Sequence, residues 1–233
     1  MLLARLPLAA LFTVLFTAAL LAEESPNTLT ADEQKLGFQL LFDGKSLEGW
    51  KHAGNWKVAD GVIERTGKGG DLIYDVKPVP DDFELRFEWK VAEGSNSGIY
   101  YRPGQYEYQV LDNDRHPNGK VPDTTAASLY YCIAPSRDVT NEPGEWNTGR
   151  IVCQGTVIQH WLNGEKVVDI NYSHPDPKLT AAIEKLKKRG ATLDSRGAKL
   201  KLQDHGDPVW YRSLRMRKLS GQEELDNSPL KGN

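Results

Sequence analysis

Nine residues that alternate without a break constrain this chain more than anything else in it. From Phe83 to Val91 it reads FELRFEWKV. Phe83, Leu85, Phe87, Trp89 and Val91 share one face, while Glu84, Arg86, Glu88 and Lys90 share the other. A period of two sustained over such a run describes an antiparallel strand with one side on a core. The same reading extends to NWKVADGVIER, DLIYD, SGIYYRP, YEYQVLD, SLYYCIA, GRIVCQGTVIQHWLNGEKVVDIN and PVWYRSLRMRKL. Asp60-Gly61 and Asn163-Gly164 sit between apolar runs, where short hairpin turns belong. Many short strands with turn signals between them predict an all-β fold, a two-sheet antiparallel jelly-roll sandwich. One segment breaks the series. Lys178–Arg189 follows Pro177, ends before Gly190 and places Leu179, Ala182, Ile183 and Leu186 at helical spacing, which predicts a short helix near 178–189.

The start of the chain speaks to compartment. Arg5 precedes an uncharged apolar run, Leu6 to Ala22, that ends in small residues before Glu23 and Glu24. That is the layout of a secretory signal peptide over residues 1–22, implying export to a periplasm or outside the cell, with no stable membrane insertion once it is removed. Residues 23–36 read as a flexible leader, 37–220 as one domain and 221–233 as a disordered tail. The net charge is −3 with no basic stripe interleaved with aromatics, which argues against a nucleic-acid partner. Cys132 and Cys153 lie in apolar runs and read equally well as a cross-strand disulfide or as two buried thiols.

Polar residues gather in a few strings. Glu84 and Glu88 lie four apart on a strand, about 13 Å, so they cannot form a close pair by themselves. A tight turn at Pro103-Gly104 would pair SGIYYRP with YEYQVLD and bring Arg102 near Glu107. Together with Gln109 these residues would make one sheet face unusually polar, and the six Trp and nine Tyr supply rings on which sugars stack. His205 stands among acids in LQDHGDPVWYR and suits a base, a metal ligand or a loop-stapling role. His160 precedes a turn in QHWLNG, and His116 and His174 occupy Pro-rich loops without an evident task. No P-loop, dinucleotide, HExxH or GxSxG motif is present.

Taken together, LFDGKSLEGW, NSGIYYR, YEYQVLD, GEWNTGRIV, HWLNG and LQDHGDPVWYR resemble the 3-keto-disaccharide hydrolase family in that order, over roughly Phe38 to Leu219. The resemblance implies a concanavalin A-like or laminin G-like sandwich. It also implies cleavage of 3-keto-glycosides, by removal of the C2 proton, elimination of the C1 substituent and addition of water. On motif position it implies His205, His160, Glu107 and Glu88 as catalytic candidates, and Asn96, Arg102, Gln109, Asp112, Gln203 and Glu84 as substrate-binding candidates. A divalent metal ion is an expected cofactor, with His205 and Glu88 as candidate ligands, and a carbohydrate is the expected partner. A non-catalytic carbohydrate-binding module is the other reading that these residues allow; oligomeric state is left open.

Overall fold

A computed structural model of the chain describes residues 25–104, 106–188, 190 and 193–232. The strands are β1 (Gln39–Leu40), β2 (Trp50–Lys51), β3 (Trp56–Ala59), β4 (Val62–Arg65), β5 (Leu72–Tyr74), β6 (Phe83–Val91), β7 (Asn96–Arg102), β8 (Tyr106–Leu111), β9 (Asn147–Gln154), β10 (Val157–Leu162), β11 (Glu165–Asn171), β12 (Lys201–Leu202) and β13 (Val209–Lys218). They form two antiparallel sheets. The larger runs β11-β10-β9-β6-β13-β4-β3 with β1 beside β13, and the smaller runs β2-β5-β12-β7-β8. This is the expected jelly-roll sandwich.

Alternation sets the layers. The apolar face of β6 packs inward, with Phe83, Leu85 and Trp89 fully buried. Tyr101, Tyr106 and Tyr108 come from the smaller sheet to meet it, and Phe87 stands edge-on to Tyr108 with ring centroids 5.1 Å apart. Burying each such ring contributes roughly 1.5–3 kcal/mol. The helix also forms, as α2 (Pro177–Lys187), capped by Asp176, whose carboxylate accepts from Leu179 N at 2.7 Å. Its buried residues are Leu179, Ala182, Ile183 and Leu186.

Several expectations are corrected. Ser128–Ala134 (SLYYCIA) is not a strand. Tyr131 takes φ 59° and its N–H donates to Asp123 O at 2.7 Å, so the segment closes on itself as a turn with only isolated bridges at Leu129. The described part of the leader is docked rather than loose. Thr30 and Glu33 form a capping box on α1 (Ala31–Lys35), and the buried Glu33 carboxylate pairs with Arg86 and Arg215 on the outer face of the larger sheet. Asn27 bridges Gly61 O and Ser213 N, 2.8 Å each. Those half-buried guanidiniums and backbone groups need partners, and the leader supplies them. The tail after Leu219 has no regular structure, yet it is tied down. Arg217 pairs with Glu223 at 3.0 Å, and Asp226 O accepts from Gln159 and Lys166. Cys132 and Cys153 are both buried free thiols. The expected signal peptide lies outside the described residues. No helix among them is long and apolar enough to cross a membrane.

Candidate functional site on the smaller sheet

The outward face of the smaller sheet is built mainly from two strands. On β7, Ser97, Ile99 and Tyr101 point into the core, which leaves Asn96, Gly98 and Tyr100 outward; on β8, Glu107 and Gln109 face outward beside them. Register places Gly98 opposite Gln109 and Tyr100 opposite Glu107. Each residue of the NSG triplet has a distinct job. Ser97 Oγ bonds Tyr211 OH at 2.8 Å and Gln203 O at 2.7 Å, which ties β7 to β13 of the larger sheet and to the stretch after β12. Gly98 leaves room for a carboxylate, because a Cβ there would lie 1.9 Å from Glu107 Oε1. The Asn96 amide lies 3.3 Å from Gln109 and 3.4 Å from His205 Nε2.

Around Glu107 the face is densely polar. Gln203 Nε2 donates to Tyr100 OH at 2.6 Å, and Lys201 sits over the Tyr100 ring at 5.0 Å while pairing with Asp71 at 3.4 Å. Burial raises the Tyr100 phenol above its ordinary range, and the negative charges of Glu107 and Asp71 push the same way. The phenol is therefore a proton carrier at neutral pH. A cleft of about 500 Å³ opens beside it, lined by Asp71, Ile73, Tyr100, Arg102, Lys199 and Lys201. Open, half-polar clefts of this size hold small ligands.

At the other end of β7 the loop after β12 delivers His205 and Asp207. Asp204 anchors that loop through an ion pair with Arg65 and a 2.9 Å bond from Asn55 Nδ2. His205, Asp207 and His116 each offer a ligand atom within 4.8 Å of the others. His205 Nδ1 lies 3.5 Å from Asp207 Oδ2, and Asn96 N donates to that same oxygen at 3.1 Å. His116 accepts from Asn118 N through Nδ1 at 3.1 Å, leaving Nε2 for the cluster. Burial, then the neighbouring His205, lowers the His116 pKa, which favours the neutral imidazole a metal requires. Two imidazoles and one carboxylate fit a divalent transition metal better than calcium or magnesium, which prefer oxygen ligands.

The structure thus gathers five of the expected residues: Glu107, Gln109, Asn96, Gln203 and His205. Arg102 lines the cleft beside Tyr100 but stays apart from Glu107, and the other four lie elsewhere. His160 is wholly buried between the sheets, with Nε2 2.9 Å from Tyr101 OH and Nδ1 2.9 Å from Ala127 O, and burial lowers its pKa to about 4. It faces the core because Ile158, His160 and Leu162 are the inward set of β10. Glu84 and Glu88 lie on the outer face of the opposite sheet. Glu84 is ringed by Arg86, Arg150 and Arg217 at 2.7–2.8 Å, and Glu88 pairs with Arg212 at 2.7 Å. Glu88 is therefore no partner of His205 for a metal. Arg102 does not meet Glu107; a register shift after Tyr100 pairs it with Tyr106, and its buried guanidinium donates to Asp81 O at 3.3 Å. Asp112 staples a loop, accepting from Gly94, Asp114 and Arg115 N at 2.7–3.3 Å. Tyr100, His116 and Asp207 were not expected. The alternation of SGIYYR carries a signal for Tyr100, which must share a face with Gly98. His116 joins through a loop fold that no local pattern announces.

The chain is a two-sheet antiparallel jelly roll that gathers carboxylate, amide, phenol and imidazole groups on one sheet face, with Glu107, Gln109 and Asn96 buried there and the Tyr100 cleft open beside them. The chain belongs to the 3-keto-alpha-glucoside-1,2-lyase-like domain family, whose model matches residues 37–217. A 3-keto-disaccharide hydrolase from Bacteroides thetaiotaomicron is 33% identical, over 78% of this chain and 79% of that protein. A crystal structure of a glycosyl hydrolase candidate from Parabacteroides distasonis superposes with a TM-score of 0.72 at 27% identity, covering 84% of this chain and all of that one. Another from the same organism gives 0.62 at 25% identity, over 78% and 99%.

Proposed function

We propose that this protein, after export, cleaves glycosides whose glucose carries a ketone at C3, by elimination across C1 and C2 followed by hydration. The observation that carries the reading is the convergence of Glu107, Tyr100, Gln109, Asn96 and Gln203 with the His116–His205–Asp207 cluster on one sheet face, in a chain of this family. A C3 ketone acidifies the hydrogen on C2. Glu107 takes that proton, and the C2–H electrons form the C2=C3 enediolate. As the C3 carbonyl re-forms, the C1–O bond breaks, its electrons leave with the aglycone oxygen, and C1=C2 remains. Tyr100 supplies the proton that neutralises the departing oxygen. Water then adds at C1 with a proton to C2, so the net change is hydrolysis. Gln109 and Gln203 hold Glu107 and Tyr100 in place, which is where general acid–base catalysis gains its rate.

His116, His205 and Asp207 would hold a divalent cation, which would supply Lewis-acid stabilisation of negative charge on the sugar oxygens. His205 belongs to that set rather than serving as the base, since Glu107 and not His205 shares the Tyr100 surroundings.

The test is release of glucose from 3-keto-trehalose by the purified protein, its Glu107→Gln variant and its His205→Ala variant. Each substitution is expected to reduce turnover at least about a hundredfold, the scale of a lost acid–base group. Folded variants with full activity would remove those assignments. Tight binding of the sugar without turnover in the parent protein would establish a binding module instead.

A further inference from the structure

The Gln109 amide has one orientation that its surroundings permit. One corner faces Ser97 O at 2.9 Å and Glu107 Oε1 at 3.1 Å, both acceptors, so that corner is the NH2 group. The other corner is then the oxygen, and it faces the Asn96 amide at 3.3 Å. That corner of Asn96 must donate, which makes it NH2 and turns the Asn96 oxygen toward His205 Nε2, 3.4 Å away. An oxygen there asks for a hydrogen on Nε2. Donation thus runs one way, from the imidazole through two amides to a carboxylate.

We propose that Asn96 and Gln109 are a positioning pair that ties the Glu107 carboxylate to the His205 ring, holding that ring in the tautomer protonated at Nε2, with the Nδ1 lone pair facing Asp207 and His116. This deepens the functional reading above and rests on it only for its catalytic meaning. The opposite tautomer would put the hydrogen on Nδ1, toward Asp207 Oδ2 at 3.5 Å. It would then reverse both amides and leave the Gln109 oxygen against two acceptors at 2.9 and 3.1 Å, inside a region where Gln109, Asn96 and Glu107 are almost fully buried. Unpaired acceptors in such a place are costly. Asn96 has a second hold on the cluster, since its backbone N–H fixes Asp207 at 3.1 Å. One residue therefore orients an imidazole with its side chain and a carboxylate with its main chain, the arrangement by which neighbours of metal ligands set tautomer and ring angle.

Long-range proton–nitrogen NMR on the 15N-labelled protein, free of metal and substrate and at a pH where His205 is neutral, reads the tautomer directly. The expected result is a proton on Nε2 and an unprotonated Nδ1 for His205. A proton on Nδ1 overturns the proposal. In Gln109→Met, which keeps the bulk and removes the amide, the two tautomers should mix; an unchanged pure Nε2–H form removes Gln109 from the chain of contacts. Titration with Co²⁺, followed by its visible absorbance, supplies a second readout. Asn96→Ala should bind Co²⁺ about 10–100-fold more weakly than the parent, the usual effect of removing a partner of a metal ligand. Equal affinity removes Asn96 from its positioning role. A protein that shows the Nε2–H form yet cleaves no 3-keto-glycoside would sink the functional reading and leave this one standing.

Discussion

Gly98 faces the Glu107 carboxylate so closely that a single methyl group is the sharpest probe of the site. In Gly98→Ala the added Cβ would meet Oε1 at 1.9 Å, and the carboxylate must swing away from Tyr100 and Gln109. Displacing a reacting group by about 1 Å costs on the order of a hundredfold in rate. Steady-state turnover should fall by that much, while circular dichroism shows the sheet intact; undiminished turnover would mean that Glu107 does not act from its present position. His160 gives the converse case. Its pKa is about 4 in the fold against an ordinary 6.5, so the folded state stays neutral while the unfolded chain takes up a proton. The stability this provides is complete above pH 6.5 and is lost as pH falls toward 4, by about 3 kcal/mol in all. Urea unfolding at several pH values should show that loss in the parent and a flatter profile in His160→Gln. Turnover should be nearly unchanged in that variant, because the ring never reaches the site.

Strand β6 carries the strongest pattern in the sequence, yet its polar side is not the site. Glu84 there is almost fully buried among three guanidiniums, and Arg150, Arg86 and Arg217 lower its pKa despite the opposing cost of burial. Glu84→Ala would leave those arginines crowded without their common counter-charge, a change expected to cost about 3–5 kcal/mol. Chemical denaturation measures it; a loss well under 1 kcal/mol would show the cluster to be solvated. Alternation told which residues share a face of β6, β7 and β8, and so the fold and the outward set of Asn96, Glu107 and Gln109 were legible. It could not tell which of two sheets a strand joins, so Glu84 and Glu88 could not be separated from Glu107 beforehand. Arg102 lines the Tyr100 cleft without meeting Glu107, because a register shift after Tyr100 sets it opposite Tyr106 instead. His116 and Asp207 come together through loops, where contacts across about 90 residues leave no local trace. Thr30 and Glu33 did carry a capping-box signal, in a segment whose composition otherwise spoke for a loose leader.

At the scale of the whole molecule, the two sheets divide the labour. The larger one is braced on its outer side by ion pairs, by the N-terminal segment through Glu33 and Asn27, and by the C-terminal segment through Glu223 and Asp226. The smaller one gathers polar groups on its outer face and opens to solvent at the Tyr100 cleft. Removing residues 25–36 should therefore lower the melting temperature, since Glu33 alone holds two guanidiniums and bonds to charged groups are worth about 1.5–3 kcal/mol each. Cleavage by the truncated protein at a temperature where it stays folded should match the parent, because nothing in that segment reaches the smaller sheet's outer face. The central claim is that this face acts on a sugar already oxidised at C3. The most direct test incubates the purified protein with 3-keto-trehalose and with trehalose in parallel and follows free glucose. Release from 3-keto-trehalose alone is the predicted result, since only the ketone makes the C2 hydrogen removable by a carboxylate. Equal release from both sugars, or release from neither, would contradict it.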